Sequence, residues 1–162
     1  MYYFDKWIEG LYFRQKGNLA LYDKLTGIYN YNWLEIIGKE KYNTKEVFVT
    51  VIDLNNFKMI NDIKGHLYGN KLLENVAYQF KVLCDKNEGE VDCIRYGGDE
   101  FVIISTNNIS ESIKSCDDEL ISCGTYFKKY YELLDQAIEK ADEIMYKNKK
   151  EKKKKKKWKD LI

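Results

Sequence analysis

Six consecutive residues, Val47-Phe48-Val49-Thr50-Val51-Ile52, leave the backbone little choice of conformation. All are β-branched or aromatic, which favours a pleated strand over a helix. The run is apolar apart from Thr50 and shows no polar alternation, so both faces of the strand are expected to be buried. It stops on Asp53. A central strand that ends in a carboxylate needs a sheet on either side of it and helices above and below.

The rest of the chain supplies those partners. Apolar residues Phe4, Trp7, Ile8 and Leu11 fall at helical spacing and predict a short helix within 4–20, weakened by Gly10 and Gly17. Asp23-Lys24-Leu25-Thr26-Gly27 reads as a turn in which Asp23 and Thr26 bond the backbone, opening a helix from about Asn30 to Lys39. Residues 66–84 predict a helix with Leu67, Leu72, Leu73, Val76 and Phe80 on one face. Val91–Tyr96 and Phe101–Ser105 predict a hairpin closed by a tight Gly97-Gly98 turn. A short helix over 109–116, a strand over 121–127 and a helix over 131–149 complete the pattern, the last with Leu133, Leu134, Ala137, Ile138, Ala141, Ile144 and Met145 as its apolar stripe. There is no proline and no visible repeat. The expectation is a helical lead-in over 1–22, one α/β domain over 23–150 with a mainly antiparallel central sheet flanked by helices, and a tail over 151–162.

Charge separates tail from body. The chain sums to +1, yet residues 151–162 alone carry +5, which leaves the body mildly acidic at −4. Such a body lacks the basic face of a nucleic-acid binder, so no specific nucleic acid is expected as partner, and the tail reads mainly as a solvated end. No apolar stretch approaches the ~18–20 residues of a transmembrane segment, and the N-terminus has no signal-peptide pattern. Cys84, Cys93, Cys116 and Cys123 have no CxxC spacing and read as reduced thiols, two of them in the core. A cytoplasmic protein is expected.

The chemistry gathers at strand ends. Asp53 closes the first strand, while Asp99 and Glu100 follow Gly97-Gly98 at the hairpin tip. Carboxylates converging from two such ends suit hard cations such as Mg²⁺, and paired cations clamp both oxygens of a phosphoryl transfer. The two glycines are expected to take positive φ and admit a triphosphate close to the backbone. The one histidine, His66, opens a helix and reads as a capping or packing residue. Phe57 reads as core, and Arg95 as the partner of a nearby carboxylate.

Arg95-Tyr96-Gly97-Gly98-Asp99-Glu100-Phe101 resembles the signature of the GGDEF family of diguanylate cyclases. The resemblance extends through Asp23–Asn30, Asp53-Leu54-Asn55-Asn56-Phe57-Lys58, Asn61-Asp62, Gly65-His66, Gly69, Ser122-Cys123-Gly124, Ala141-Asp142, Met145-Tyr146 and Lys149, in family order. It implies a palm-like fold of the nucleotidyl cyclase and polymerase type. It implies that Asp53 and Asp99, with the Leu54 carbonyl, hold two Mg²⁺ or Mn²⁺ ions per site, and that Asp99 or Glu100 helps activate a 3′-hydroxyl. Backbone amides near Asn56 and Phe57, with Lys58, would hold the β- and γ-phosphates. Asn61 and residue 70 would read the base, Gly97 and Gly98 would border the nucleotide, and Lys149 and Lys153 would bind phosphate. The reaction implied is 2 GTP to cyclic di-GMP with release of pyrophosphate, in a homodimer carrying one nucleotide per chain.

The chain departs from the family pattern at several positions. Residue 70 is Asn where the family has a guanine-reading Asp, and an amide that both donates and accepts also suits adenine. Glu88 and Val91 occupy the positions of the inhibitory RxxD motif, so product feedback there is not expected. Tyr31 replaces an Arg after Asn30, and the stretch between hairpin and next strand is short. Two other readings follow: a GGDEF-like enzyme resembling minimal CRISPR polymerases that uses ATP to make an adenine-containing signal in antiphage defence, and a catalytically silent nucleotide-binding module. Joint retention of Asp53, Asp99 and Glu100 argues against silence.

Overall fold

The Val47–Ile52 run forms the middle of a five-stranded sheet in a computed structural model that describes residues 21–159, with side chains to residue 154. The strand is β2 (Val47–Leu54), flanked by β4 (Glu100–Ser105) and β5 (Ile121–Lys128), both antiparallel to it. Beyond β4 lies β3 (Val91–Arg95), antiparallel, and then the two-residue β1 (Tyr29–Asn30), which is parallel to β3. The order is β1-β3-β4-β2-β5, so the sheet is mixed and mainly antiparallel. The helix predicted within 4–20 lies outside the described residues.

Alternation along β2 sorts the core into two layers. Val47, Val49 and Val51 point to one face, where they meet Trp33, Leu34, Ala137, Ala141 and Met145. Ile52 and Leu54 point to the other, against Leu73, Val76, Ala77 and Phe80. The first face is covered by α1 (Tyr31–Trp33), a π-helical turn at Leu34–Gly38, α2 (Lys39–Tyr42) and the long α6 (Leu134–Lys159). The second is covered by α4 (His66–Lys86) and α5 (Ser110–Lys114). Cys93 and Cys123 are buried and all four cysteines are free thiols.

Several details differ from the sequence expectation. Residues 57–64 form a helix that periodicity did not reveal, α3 (Phe57–Lys64). It buries none of its residues fully, so no apolar stripe marks it. Leu67 is 74% exposed and Leu133 is 55% exposed, although each fits its helix's apolar pattern. Leu67 lies in the first turn of α4, ahead of where that helix meets the sheet, and Leu133 precedes α6. The hairpin turn spans residues 96–99, longer than the two glycines alone, and is closed by Tyr96 N–H donating to the Glu100 carbonyl at 2.9 Å. The helix predicted to stop at 149 continues to Lys159, which makes most of the lysine-rich segment helical. Among the described residues, no helix is long and apolar enough to cross a membrane.

Candidate active site

The β-ladder brings the carboxylates together. Asp53 stands directly across from Glu100 on one side and Ser122 on the other. Residues of a strand alternate in face, so Asp53 and Glu100 share the α6 side of the sheet with Val51 and Val102. Leu54 N–H donates to the Asp99 carbonyl at 3.1 Å, which ties the hairpin tip to the end of β2. Asn55 finishes the strand: its amide donates to the Leu120 carbonyl at 2.6 Å, its side chain donates to Glu119 O at 3.0 Å, and Ser122 Oγ donates to Asn55 Oδ1 at 2.8 Å. Nothing in the sequence pattern marked Asn55 and Ser122 as the lock on this end of the sheet.

Arg95 holds the hairpin from behind. Its guanidinium donates to the Gly98 carbonyl at 3.2 and 2.7 Å and to Asp23 Oδ1 at 2.9 Å. Asp23 also accepts from Thr26 N–H at 2.9 Å and Thr26 Oγ1 at 2.7 Å. Asp23 and Thr26 therefore shape the turn as expected, and Arg95 pairs with a carboxylate. Burial alone would raise the Asp23 carboxyl, but the Thr26 and Arg95 donors together pull it below the ordinary value. Gly97 and Gly98 do not take positive φ, contrary to expectation. A Cβ on Gly97 would lie 2.9 Å from Glu100 Oε2, whereas one on Gly98 would meet nothing within 4 Å. The first glycine thus lies against the Glu100 carboxylate, and the second borders open space.

Charge at this end of the sheet is crowded. Burial, then Asp53, pushes the Asp99 carboxyl above its usual value. Burial, then Asp53, Asp99 and Asp142, does the same to Glu100. Lys149, expected at a phosphate, instead reaches from α6 to form a short ion pair with Asp53 Oδ1. Lys153 is exposed one turn further on. Among the described lysines of the run, Lys152 is anchored: it donates to the Asp118 carbonyl at 2.7 Å and the Ile121 carbonyl at 3.1 Å; in an unbroken lysine run no sequence signal distinguishes it.

Among the described residues, no three His, Cys, Asp or Glu side chains form a ready-made metal cage. The donors nonetheless fit a hard divalent cation. They are all oxygens, they repel one another, and Mg²⁺ characteristically takes only one or two carboxylates plus water and substrate phosphates.

A second surface adjoins the first. Asn56 adopts a left-handed conformation, φ 58°, at the N-terminus of α3, and no side chain caps that helix. Uncapped first-turn amides behind such a residue form an anion-binding concavity. Exposed Lys58 stands beside it. Phe57 is half-buried against the second core layer, so it packs as expected while its amide remains at the helix start. Asn70 is exposed on α4, Asn61 is mostly enclosed, and His66 is exposed at the start of α4. A cavity of about 510 Å³ lies on the far side of Glu100, against Tyr31, Tyr96, Asp135, Glu139 and Asp142. Among the described residues, its wall sets Glu100, Asp135, Glu139 and Asp142 against the single cation Lys39, which makes it a poor host for a triphosphate.

The sequence profile described as diguanylate cyclase, GGDEF domain matches residues 20–122. The chain is 34% identical over 103 residues to the diguanylate cyclase DgcP of Escherichia coli, covering 60% of this chain and 29% of that protein. It is 27% identical over 153 residues to the diguanylate cyclase VdcA of Vibrio cholerae, covering 80% and 44%. It is 31% identical over 107 residues to the Escherichia coli cyclic di-GMP phosphodiesterase PdeR, covering 64% and only 16%. The chain thus spans less than half the length of each of these relatives. Among solved structures, the GGDEF domain of DgcB from Caulobacter crescentus in complex with c-di-GMP superposes with a TM-score of 0.70 at 21% identity, over 82% of this chain and 92% of that one. With that profile covering most of the described sheet, and with the carboxylates of its signature set opposite the end of β2, the chain belongs to the diguanylate cyclase GGDEF-domain family.

Proposed function

We propose that the protein is a diguanylate cyclase that converts two GTP into cyclic di-GMP and two pyrophosphates. The observation that carries this reading is the placement of Asp53 across from Glu100 in the β2–β4 ladder, with the Asp99 carbonyl bound to the Leu54 amide. Asp53, Asp99 and the Leu54 carbonyl would hold two Mg²⁺ or Mn²⁺ ions, which when bound supply charge neutralisation at the phosphates and acidify the attacking hydroxyl. The amides of Asn56 and Phe57, with Lys58, receive the β- and γ-phosphates. Lys149 adds positive charge beside the α-phosphate as its hold on Asp53 is exchanged for substrate, and Lys153 extends that charge along α6. Asn61 and Asn70 meet the base, and Gly98 leaves the hairpin tip open to the ribose.

Each chain holds one GTP, and two chains face each other in a two-fold dimer. Glu100 takes the proton of a 3′-hydroxyl; its raised affinity for protons suits that task. The 3′-oxygen bonds to the α-phosphorus of the opposite nucleotide as the bond to pyrophosphate breaks. Repeating the step with the roles exchanged closes the ring.

Purified protein incubated with GTP and Mg²⁺ should give cyclic di-GMP and pyrophosphate by mass spectrometry. Asp99→Ala should give no product while its circular dichroism matches the parent. Absence of any cyclic dinucleotide from the parent chain, or near-normal turnover in Asp99→Ala, would refute the assignment.

A further inference from the structure

The corner between α3 and α4 holds a buried glycine, Gly69, that the reaction as described does not use. Helix α3 ends at Gly65, whose φ of 83° breaks the helical path. Gly65 N–H donates to the Asn61 carbonyl at 2.8 Å, and Tyr68 and Gly69 N–H groups donate back to the Gly65 carbonyl at 3.1 and 3.2 Å. The first turn of α4 is thereby folded onto the last turns of α3. His66, Leu67, Tyr68 and Asn70 are exposed, but Gly69 between them is buried.

What buries Gly69 is the Asn61 side chain. A Cβ at Gly69 would lie 1.9 Å from Asn61 Oδ1, 2.9 Å from Asn61 Cγ and 3.2 Å from Phe57 Cζ. The carboxamide occupies the volume that any larger residue at 69 would need. Asn61 Oδ1 is buried and has no hydrogen-bond partner. An enclosed amide oxygen without a donor is held by shape alone, and a fold keeps such an unsatisfied acceptor only at a cost.

We propose that Gly69 is a positioning residue: it touches no substrate, and it sets base recognition by making room for the Asn61 carboxamide, whose Oδ1 packs against it so that the Nδ2 end is left for the purine beside Asn70. The proposal rests on the reading that Asn61 meets the base. An alanine at 69 would push the amide out of its seat. The backbone has no reason to move, because the atoms in the way are the end of the Asn61 side chain and the tip of the Phe57 ring, which needs to give by only a few tenths of an ångström, and alanine is favoured over glycine inside a helix.

The test is a double-mutant cycle on the full chain, read by calorimetric binding of a GTP analogue whose α–β bridge cannot be cleaved, together with thermal unfolding. Asn61→Ala should weaken binding by about tenfold, the effect of one lost hydrogen bond. Gly69→Ala should weaken it by a similar factor, with cooperative unfolding retained. In the Asn61→Ala background, Gly69→Ala should have no further effect, since the group it displaces is gone. Equal losses in both backgrounds, or no loss from Gly69→Ala where Asn61→Ala does weaken binding, would overturn the proposal. So would loss of cooperative unfolding in Gly69→Ala, because the glycine would then protect the backbone. Unchanged binding in Asn61→Ala is a separate outcome: it removes Asn61 from the base site, and the positioning role goes with it.

Discussion

Asn70 follows the buried Gly69 and is itself exposed, at the edge of the corner that holds Asn61. A carboxylate at this position would only accept hydrogen bonds, which matches the N1–H and amino donors of guanine and sets like against like at the N1 of adenine. The Asn70 amide donates and accepts, so it accommodates either purine edge. Discrimination of GTP over ATP is therefore expected to be on the order of tenfold or less, about 1.4 kcal/mol. Asn70→Asp should sharpen it, as measured by competition between equal GTP and ATP; an unchanged ratio would remove Asn70 from base reading. Asp23 gives a prediction of another kind. Its carboxyl lies below the ordinary aspartate value because the Thr26 and Arg95 donors outweigh its burial. A carboxylate whose folded value is depressed stabilises the fold fully above the ordinary value near ~3.9 and loses that contribution as pH falls through the lower folded value. Asp23→Ala should cost about 2 kcal/mol at about pH 7, and the difference between variant and parent should shrink at about pH 2, in urea titrations. A pH-independent difference would mean that the ion pair contributes nothing.

Helix α6 is the element on which the site most depends. It carries Lys149 to Asp53, and Asn148 Nδ2 donates to the Cys123 carbonyl at 2.8 Å on β5. That approach is possible because residue 124 has no side chain: a Cβ at Gly124 would lie 2.1 Å from Met145 N and 2.3 Å from Ala141 O. The obstruction is helix backbone, which cannot rotate away, so the whole helix would have to shift. Gly124→Ala should therefore destabilise the fold by about 2–4 kcal/mol in urea titration and lower turnover by displacing α6 and with it Lys149 from the α-phosphate. Full stability in that variant would show that α6 can slide on the sheet. Element boundaries were readable where burial marks them, as on both faces of β2 and the core face of α4, but not at the C-terminal end of α6, where the lysine run carries no apolar stripe. They were not readable for α3, whose apolar residues Met59 and Ile63 remain exposed, nor for the two-residue β1, which is a strand only because β3 lies beside it.

The whole molecule places acidic groups on the surface where the family signature would have an inhibitory site. Glu90 pairs with Lys45 at 2.7 Å, and Asn107 bonds the Glu88 carbonyl. Among the described residues, the phosphates of a cyclic dinucleotide find there two carboxylates, one of them paired with Lys45, and no arginine fork. Added cyclic di-GMP should leave initial rates unchanged by binding at residues 88–91, and Glu88→Ala should not alter any inhibition seen; a product complex at that surface with matching inhibition would contradict this. The amino-acid sequence by itself determined the family, the central strand, the two-layer pattern of apolar faces and the carboxylates at Asp53, Asp99 and Glu100. Those are local matters of residue type, period and motif order. Only the tertiary structure decided that Lys152 is anchored among the described lysines of the C-terminal run, that Lys149 rests on Asp53, that Gly97 lies against the Glu100 carboxylate and Gly98 borders open space with neither at positive φ, and that Gly69 lies against Asn61. Each of these depends on atoms brought together across α3, α4, α6 and the sheet, and such distances are set by how the layers close, which no one-dimensional pattern encodes.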